Sequence, residues 1–335
     1  MKVKSNKIAV VTGGAGFIGS HLVDLLLKKG FEVRVVDNFS GGHINNLKQH
    51  QNNKNLKIKK IDILKINFKD KVFSNSRYIF HFAGIGDIVP SIENPFDYMN
   101  TNIMGTVNML EAARHNKVKK FVYAASSSCY GLADTPTKEN HSINPEYPYA
   151  LSKYMGEQSS LHWNKVYGLP VVSIRIFNAY GKRVRTTGAY GAVFGVFFKQ
   201  KISNKPYTVV GNGDQKRDFI YVTDVAEAFY KAAISPHKNE IFNLGEGKPK
   251  SINSLIDLMG GGKVINLPIR PGEPNITLAN ITKIKSYLKW SPKVPFEKGV
   301  KSMLDSIENW KDAPLWDKKS IKKATKLWFK YMSKK

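Results

Sequence analysis

Cysteine is nearly absent from the 335 residues: Cys129 stands alone, which excludes an intrachain disulfide. The eight histidines form neither an H-E-x-x-H pair nor a Cys/His ligand cluster, so no structural or catalytic metal is expected. No apolar run approaches the ~18 residues that a membrane span needs. Met1 to Lys7 leads directly into an apolar strand and leaves no room for a signal peptide, so the expected compartment is the cytoplasm. Acidic residues are scarce, 26 against 52 Lys and Arg, for a net charge of +26. The excess is mostly lysine, scattered over the chain, and no nucleic-acid motif or aromatic stacking module accompanies it. It reads as a solvated surface with a general pull on anionic small molecules such as nucleotides, not as a nucleic-acid interface. The densest cluster, Lys318 to Lys335, carries Ile321, Ala324, Trp328 and Tyr331 at helical spacing, which predicts a docked amphipathic helix.

What is present is a globular composition, 42% hydrophobic, in which apolar segments alternate with helical patterns. Strands are predicted near 7–12, 32–36, 56–61, 77–82, 119–125 and 170–176, and helices near 17–29, 97–115 and 149–167. Such a βαβ series gives an α/β fold, a doubly wound parallel (Rossmann) sheet with its ligand at the carboxyl ends of the strands. After about residue 180 glycine and proline become frequent and strands short. The expected division is a dinucleotide-binding domain over 1–177 and a smaller α/β substrate-binding lobe over 178–335, with Phe219 to Ala233 and Glu240 to Gly245 returning to the sheet.

The stretch Thr12-Gly13-Gly14-Ala15-Gly16-Phe17-Ile18-Gly19-Ser20 lies between the first strand and the first helix and fits the glycine patterns of a phosphate-binding turn. Absent side chains let the backbone approach a pyrophosphate, and the helix N-terminus offers it unpaired N–H groups. Asp37, just past the second strand, is placed to accept hydrogen bonds from an adenosine ribose; with Asn38 rather than arginine next to it, NAD is expected over NADP. Asp62 ends the third strand before Ile63, as an adenine contact or as a helix N-cap. Tyr149 and Lys153, four apart, share one helix face. An ammonium at ~4 Å and an effective dielectric of ~20 contributes about 4 kcal/mol, which draws a phenol from about 10 toward 7 and makes it a general base. The preceding strand, Phe121 to Ala125, ends in Ser126-Ser127-Ser128, hydroxyls for a substrate or for turn chemistry.

Together with His81 to Gly84, Tyr130-Gly131 and Arg175 to Gly181, these motifs resemble the extended short-chain dehydrogenases/reductases, specifically the nucleotide-sugar epimerase group, from residue 7 to about 310. The resemblance implies a tightly held NAD against Gly13, Gly16, Phe17, Ile18, Gly19, Asp37, Asn38, Asp62 and Ile63. It implies Tyr149 as acid/base, Lys153 on the nicotinamide ribose, and Ser126, five residues before Gly131, beside the reacting sugar carbon. Ser128 falls at another substrate contact, Asn178 at the diphosphate, Arg217 and Arg270 at the nucleotide phosphates, and Glu273 at the uridine ribose. The arginine fork suits a diphosphate on general grounds too, with surface ion pairing as the competing reading. Three features depart from the pattern: Asn280 stands where aspartate is common, Lys182-Arg183 replaces a proline, and the tail beyond 310 is not covered.

Within that group, dehydratases carry Asp-Glu where Ser127 and Ser128 stand here, and the related decarboxylases carry Glu at the position of Ser128. What remains is epimerisation at carbon 4 of a UDP-sugar, in which the tethered keto sugar rotates between oxidation and reduction. Thr277 occupies the place of a wall residue that is large or small in these epimerases, and its small size implies tolerance of N-acetylhexosamines. The alternative is a UDP-uronic acid epimerase or decarboxylase, with Arg183 or Arg185 holding the carboxylate; a non-catalytic nucleotide-sugar-binding protein is the other class. The family also implies a homodimer through the helices near 97–115 and 149–167, with Leu110, Met155 and Leu161 as candidate contacts.

Overall fold

The computed structural model describes residues 7–185 and 193–333. Seven strands form one all-parallel sheet: β1 (Ile8–Thr12), β2 (Glu32–Asp37), β3 (Leu56–Lys60), β4 (Tyr78–His81), β5 (Lys120–Ser126), β6 (Val171–Ile176) and β7 (Glu240–Leu244). Their spatial order is β7-β6-β5-β4-β1-β2-β3, so the winding reverses between β1 and β4. That reversal opens the crevice in which doubly wound sheets bind ligands. The helices that matter here are α1 (Phe17–Lys28), α2 (Gly105–His115), α3 (Pro148–Tyr167) and α4 (Val222–Ile234).

Strand alternation divides the apolar residues between two faces. Ala9 and Val11 of β1 join Val33, Val122 and Ile174 under α1 and α4. Val10, Phe121 and Tyr123 face the other way, onto Met109, Leu110 and Ala113 of α2. Leu110 is fully buried there. It faces the sheet and cannot be the dimer contact that helical spacing suggested, because spacing defines a face without saying what covers it. Met155, by contrast, is exposed and Leu161 half-buried.

The helix predicted over 97–115 is broken in an informative way. A short helix, Pro95–Met99, passes through a wide π turn, Asn100–Met104, before α2 begins. The turn brings the buried Asn102 amide onto the Ile85 backbone and onto Ser152 of α3, the kind of use to which π turns near functional sites are put. A second core gathers Tyr180, Phe194, Phe197, Phe198, Tyr207, Phe219, Phe296, Trp310 and Trp328. The tail helix is two short ones, Lys318–Ala324 and Lys326–Met332, meeting at Thr325. Ile321, Trp328 and Met332 dock on the second core, whereas Tyr331 is exposed. No helix among the described residues is long and apolar enough to cross a membrane.

Candidate active site

The crevice at β1 and β4 continues as one cleft of about 740 Å³ from the glycine turn to Arg217, Arg270 and Glu273. At its first end Gly13 has φ +66°, and a Cβ there would meet the Ala83 backbone nitrogen at 2.8 Å. At Gly19 a Cβ would come within 2.2 Å of the Gly13 carbonyl oxygen. Neither position accommodates a side chain, so α1 packs directly on the turn. Gly16 is the N-cap and brings no side-chain hydrogen bond to the first amides of α1, which suits that helix end to an anion. Phe17, Ile18, Asn38 and Ile63 line the same end.

Asp37 has two tasks. Its carboxylate accepts hydrogen bonds from the Ala15 and Phe39 amides, at 3.0 and 2.8 Å, and so braces the turn while lining the cleft; burial pushes its carboxyl up, against those two bonds. Asp62 also combines its two readings. One oxygen caps the Ile63–Lys65 turn through the Leu64 amide, at 2.9 Å. The other accepts from Asn38 Nδ2 at 3.1 Å, at the cleft wall. A backbone cradle without side chains, a helix N-terminus and a paired carboxylate fit the pyrophosphate and adenosine of a dinucleotide.

In the middle of the cleft β5 ends at Ser126 and α3 presents Tyr149 and Lys153. Ser126 hydrogen-bonds Tyr149, and its hydroxyl donates to Ser128 Oγ at 3.0 Å. Ser128 in turn bonds Tyr147. Ser128, half-buried, therefore links Ser126 to Tyr147. The phenol also differs from expectation. Burial raises Tyr149 above its ordinary range, the Ser126 bond opposes this, and the Asp87 carboxylate adds to it. The ammonium of Lys153 lies 4.6 Å from the Tyr123 ring centroid, and burial lowers its pKa to about 8 against the pull of Glu157. A shared helix face thus does not by itself produce a tyrosine of low pKa: burial of the phenol is the largest influence on it and raises it.

Behind these residues lies a buried ion pair absent from the expected set. Arg175 on β6 meets Glu157 at 2.6 Å, with both side chains almost wholly enclosed. Ser173 donates to the same carboxylate, and Arg175 reaches the Tyr130 hydroxyl at 2.7 Å. Glu157 follows Lys153 by one helical turn, the signal by which it was discoverable.

At the far end Asn178 lines the cleft, and its Oδ1 accepts from Thr277 Oγ1 at 2.9 Å. Thr277, half-buried, is thus held against Asn178. Glu273 sits between Arg270, at 2.9 Å, and Arg217, at 3.8 Å. Arg185 lines the cleft and pairs with Asp87 at 3.1 Å. Arg183 does not: it pairs with Asp24 of α1 at 2.7 Å, which removes it as a carboxylate ligand for the sugar. Asn280 accepts from the Thr282 amide at 3.1 Å and so serves the start of the Thr282–Leu288 helix.

A family model described as GDP-mannose 4,6 dehydratase matches residues 10–303. The chain is 37% identical, over 90% of its length and 98% of the relative's, to a putative UDP-glucose 4-epimerase of Methanocaldococcus jannaschii. Two solved structures superpose with TM-scores of 0.84 at 31% identity, each over 90% of this chain and 99% of the other. One is a UDP-N-acetylglucosamine 4-epimerase from Methanobrevibacter ruminantium in complex with UDP-N-acetylmuramic acid. The other is a UDP-glucuronic acid 4-epimerase from Bacillus cereus with UDP-glucuronic acid and NAD.

Proposed function

The chain belongs to the GDP-mannose 4,6-dehydratase family of extended short-chain dehydrogenases/reductases, and we propose that within it the protein is an NAD-dependent 4-epimerase of a UDP-sugar. The observation that carries this reading is the continuity of one cleft: glycine turn, Ser126 with Tyr149 and Lys153, then Asn178 and the two arginines. Serines at 127 and 128 supply no acid for eliminating water or assisting loss of a carboxyl group. When bound against the glycine turn, Asp37 and Lys153, NAD would supply the reversible oxidation of C4. Tyr149 takes and returns the proton of the C4 hydroxyl, and Ser126 holds that oxygen in place. Lys153 binds the nicotinamide ribose, while Asn178, Arg217 and Arg270 keep the diphosphate tethered so that the keto sugar can present either face.

Two sugar classes have support. The small Thr277, hydrogen-bonded to Asn178, leaves room beside the sugar for an acetamido group. The opposite reading, a uronic acid, has Arg185 on the cleft wall. A panel of UDP-glucose, UDP-N-acetylglucosamine and UDP-glucuronate, resolved by NMR, decides between them. The first reading expects UDP-N-acetylglucosamine to be epimerised and Thr277→Tyr to lower its kcat/KM about tenfold or more. Exclusive turnover of UDP-glucuronate would establish the second reading, and inertness toward all three would overturn the epimerase proposal.

We also infer a homodimer. Phe96, Met104, Leu151 and Met155 are exposed apolar side chains on or next to the two helices concerned, an arrangement that marks interaction surfaces. Light scattering at micromolar concentration is expected to give twice the chain mass, and a monomeric mass would reject the dimer.

A further inference from the structure

Between the adenosine end of the cleft and the two arginines at its far end, three charged side chains among the described residues line it: Asp87, Lys153 and Arg185. With Lys153 assigned to the dinucleotide, Arg185 is the cation left to meet a charged sugar. It is already engaged, because Arg185 donates through Nη1 to Asp87 Oδ2 at 3.1 Å. The backbone fixes where Asp87 puts its charge. Its segment leaves the carboxyl end of β4 and is pinned at two points. Asn102, in the π turn, accepts from the Ile85 amide at 2.8 Å and donates to the Ile85 carbonyl at 3.1 Å. Tyr98 donates to the Asp87 carbonyl at 2.5 Å.

Tyr98 also packs edge-on against Tyr149, with ring centroids 6.4 Å apart, so the residue that holds Asp87 adjoins the phenol assigned to the sugar. The Asp87 carboxylate is one of the charges that raise this phenol, which puts it within electrostatic reach of the reacting oxygen. A sugar lying against Tyr149 and Ser126 therefore has the Asp87–Arg185 pair beside it. A hexuronic acid bears its carboxylate on C5, the carbon bonded to C4, and cannot keep that charge far from the pair. To reach Arg185 it must displace Asp87 or lie next to it, and two carboxylates on one cation repel each other. Hydroxyl and acetamido groups carry no such penalty.

We propose that Asp87 determines the sugar class: by pairing Arg185 beside Tyr149, its carboxylate excludes uronic acids and admits uncharged pyranoses. This rests on the UDP-sugar epimerase reading above and chooses between its two sugar classes. Arg185 alone suits a carboxylate, whereas Arg185 held by Asp87 does not. Discrimination of this kind comes from repelling the wrong ligand. Removing Asp87 is therefore expected to add an activity, which the loss of a merely structural contact does not do.

The test compares UDP-glucuronate with the better of UDP-glucose and UDP-N-acetylglucosamine, by kcat/KM and by calorimetric Kd, on the NAD-loaded protein. Wild type is expected to favour the uncharged sugar about a hundredfold or more. Asp87→Asn should shift that ratio toward UDP-glucuronate about tenfold or more, in binding as in turnover. Asp87→Glu, which keeps the charge, should retain the wild-type order, and adding Arg185→Gln to Asp87→Asn should abolish the shift. Asp87→Ser serves if the asparagine variant does not fold. A wild type that prefers UDP-glucuronate, or a ratio unmoved in both the asparagine and serine variants, would overturn the role of Asp87 and leave the epimerase reading standing. A shift that survives Arg185→Gln would overturn the pairing. If wild type binds these nucleotide sugars without turning any over, the epimerase reading fails and the Kd ratios alone judge Asp87; binding of none rejects both.

Discussion

Tyr149→Phe is expected to lower kcat for epimerisation about a thousandfold or more while leaving bound NAD and the thermal midpoint nearly unchanged. Loss of a positioned acid/base typically costs 10²–10⁴ in rate. The phenyl ring can keep the place of the phenol against Tyr98, whose ring centroid is 6.4 Å away, and only the bond to Ser126 is lost. The dinucleotide is to be held elsewhere, by the glycine turn and Asp37. Single-turnover kinetics on the purified variant, with NAD assayed after denaturation, checks this. A rate within tenfold of wild type would mean that another group moves the proton. The pH profile of the wild type should show an alkaline limb. Burial lowers Lys153 to about 8, so its charge is present below that pH and lost above it, and kcat/KM is expected to fall as pH rises through about 8. A profile flat from pH 7 to 9.5 would place no titrating lysine in the step.

Glu157→Ala is expected to destabilise the fold by about 3–5 kcal/mol, because it leaves the Arg175 guanidinium buried and unpaired. For a chain of this size that corresponds to roughly 4–7 °C in thermal midpoint. The double replacement Glu157→Leu with Arg175→Met should be far milder, since apolar groups of similar volume replace both charges and no ion is stranded. Thermal unfolding of the three proteins gives the comparison. If the single variant unfolded at the wild-type midpoint, the pair would carry no structural weight. The pair also joins α3 to β6 and, through Tyr130 and Asn243, to β7. Activity lost in a variant still folded at assay temperature would therefore report displacement of Lys153, one helical turn away.

The strands of the sheet, the glycine turn and the helix bearing Tyr149 and Lys153 were legible from the chain because each rests on local order: β-branched runs, missing side chains at fixed offsets, and a four-residue spacing. The seventh strand was readable as sheet-associated for the same reason. Which residues meet was another matter. Leu110 and Met155 both lie on the expected helices, yet one is enclosed by the sheet and the other exposed. Arg183 and Arg185 are two positions apart, and one is drawn 159 residues back to Asp24 while the other stays in the cleft. Thr277 was read as a wall residue, and its hydroxyl finds its partner in Asn178, 99 residues away. Local sequence determines conformation and the face a side chain shares with its neighbours. Burial, and the partner that satisfies a buried polar group, depend on segments brought together only when the sheet closes. Folding alone decided that the phenol of Tyr149 is buried, which raises it, that Glu157 meets Arg175, and that the tail reaches the cleft.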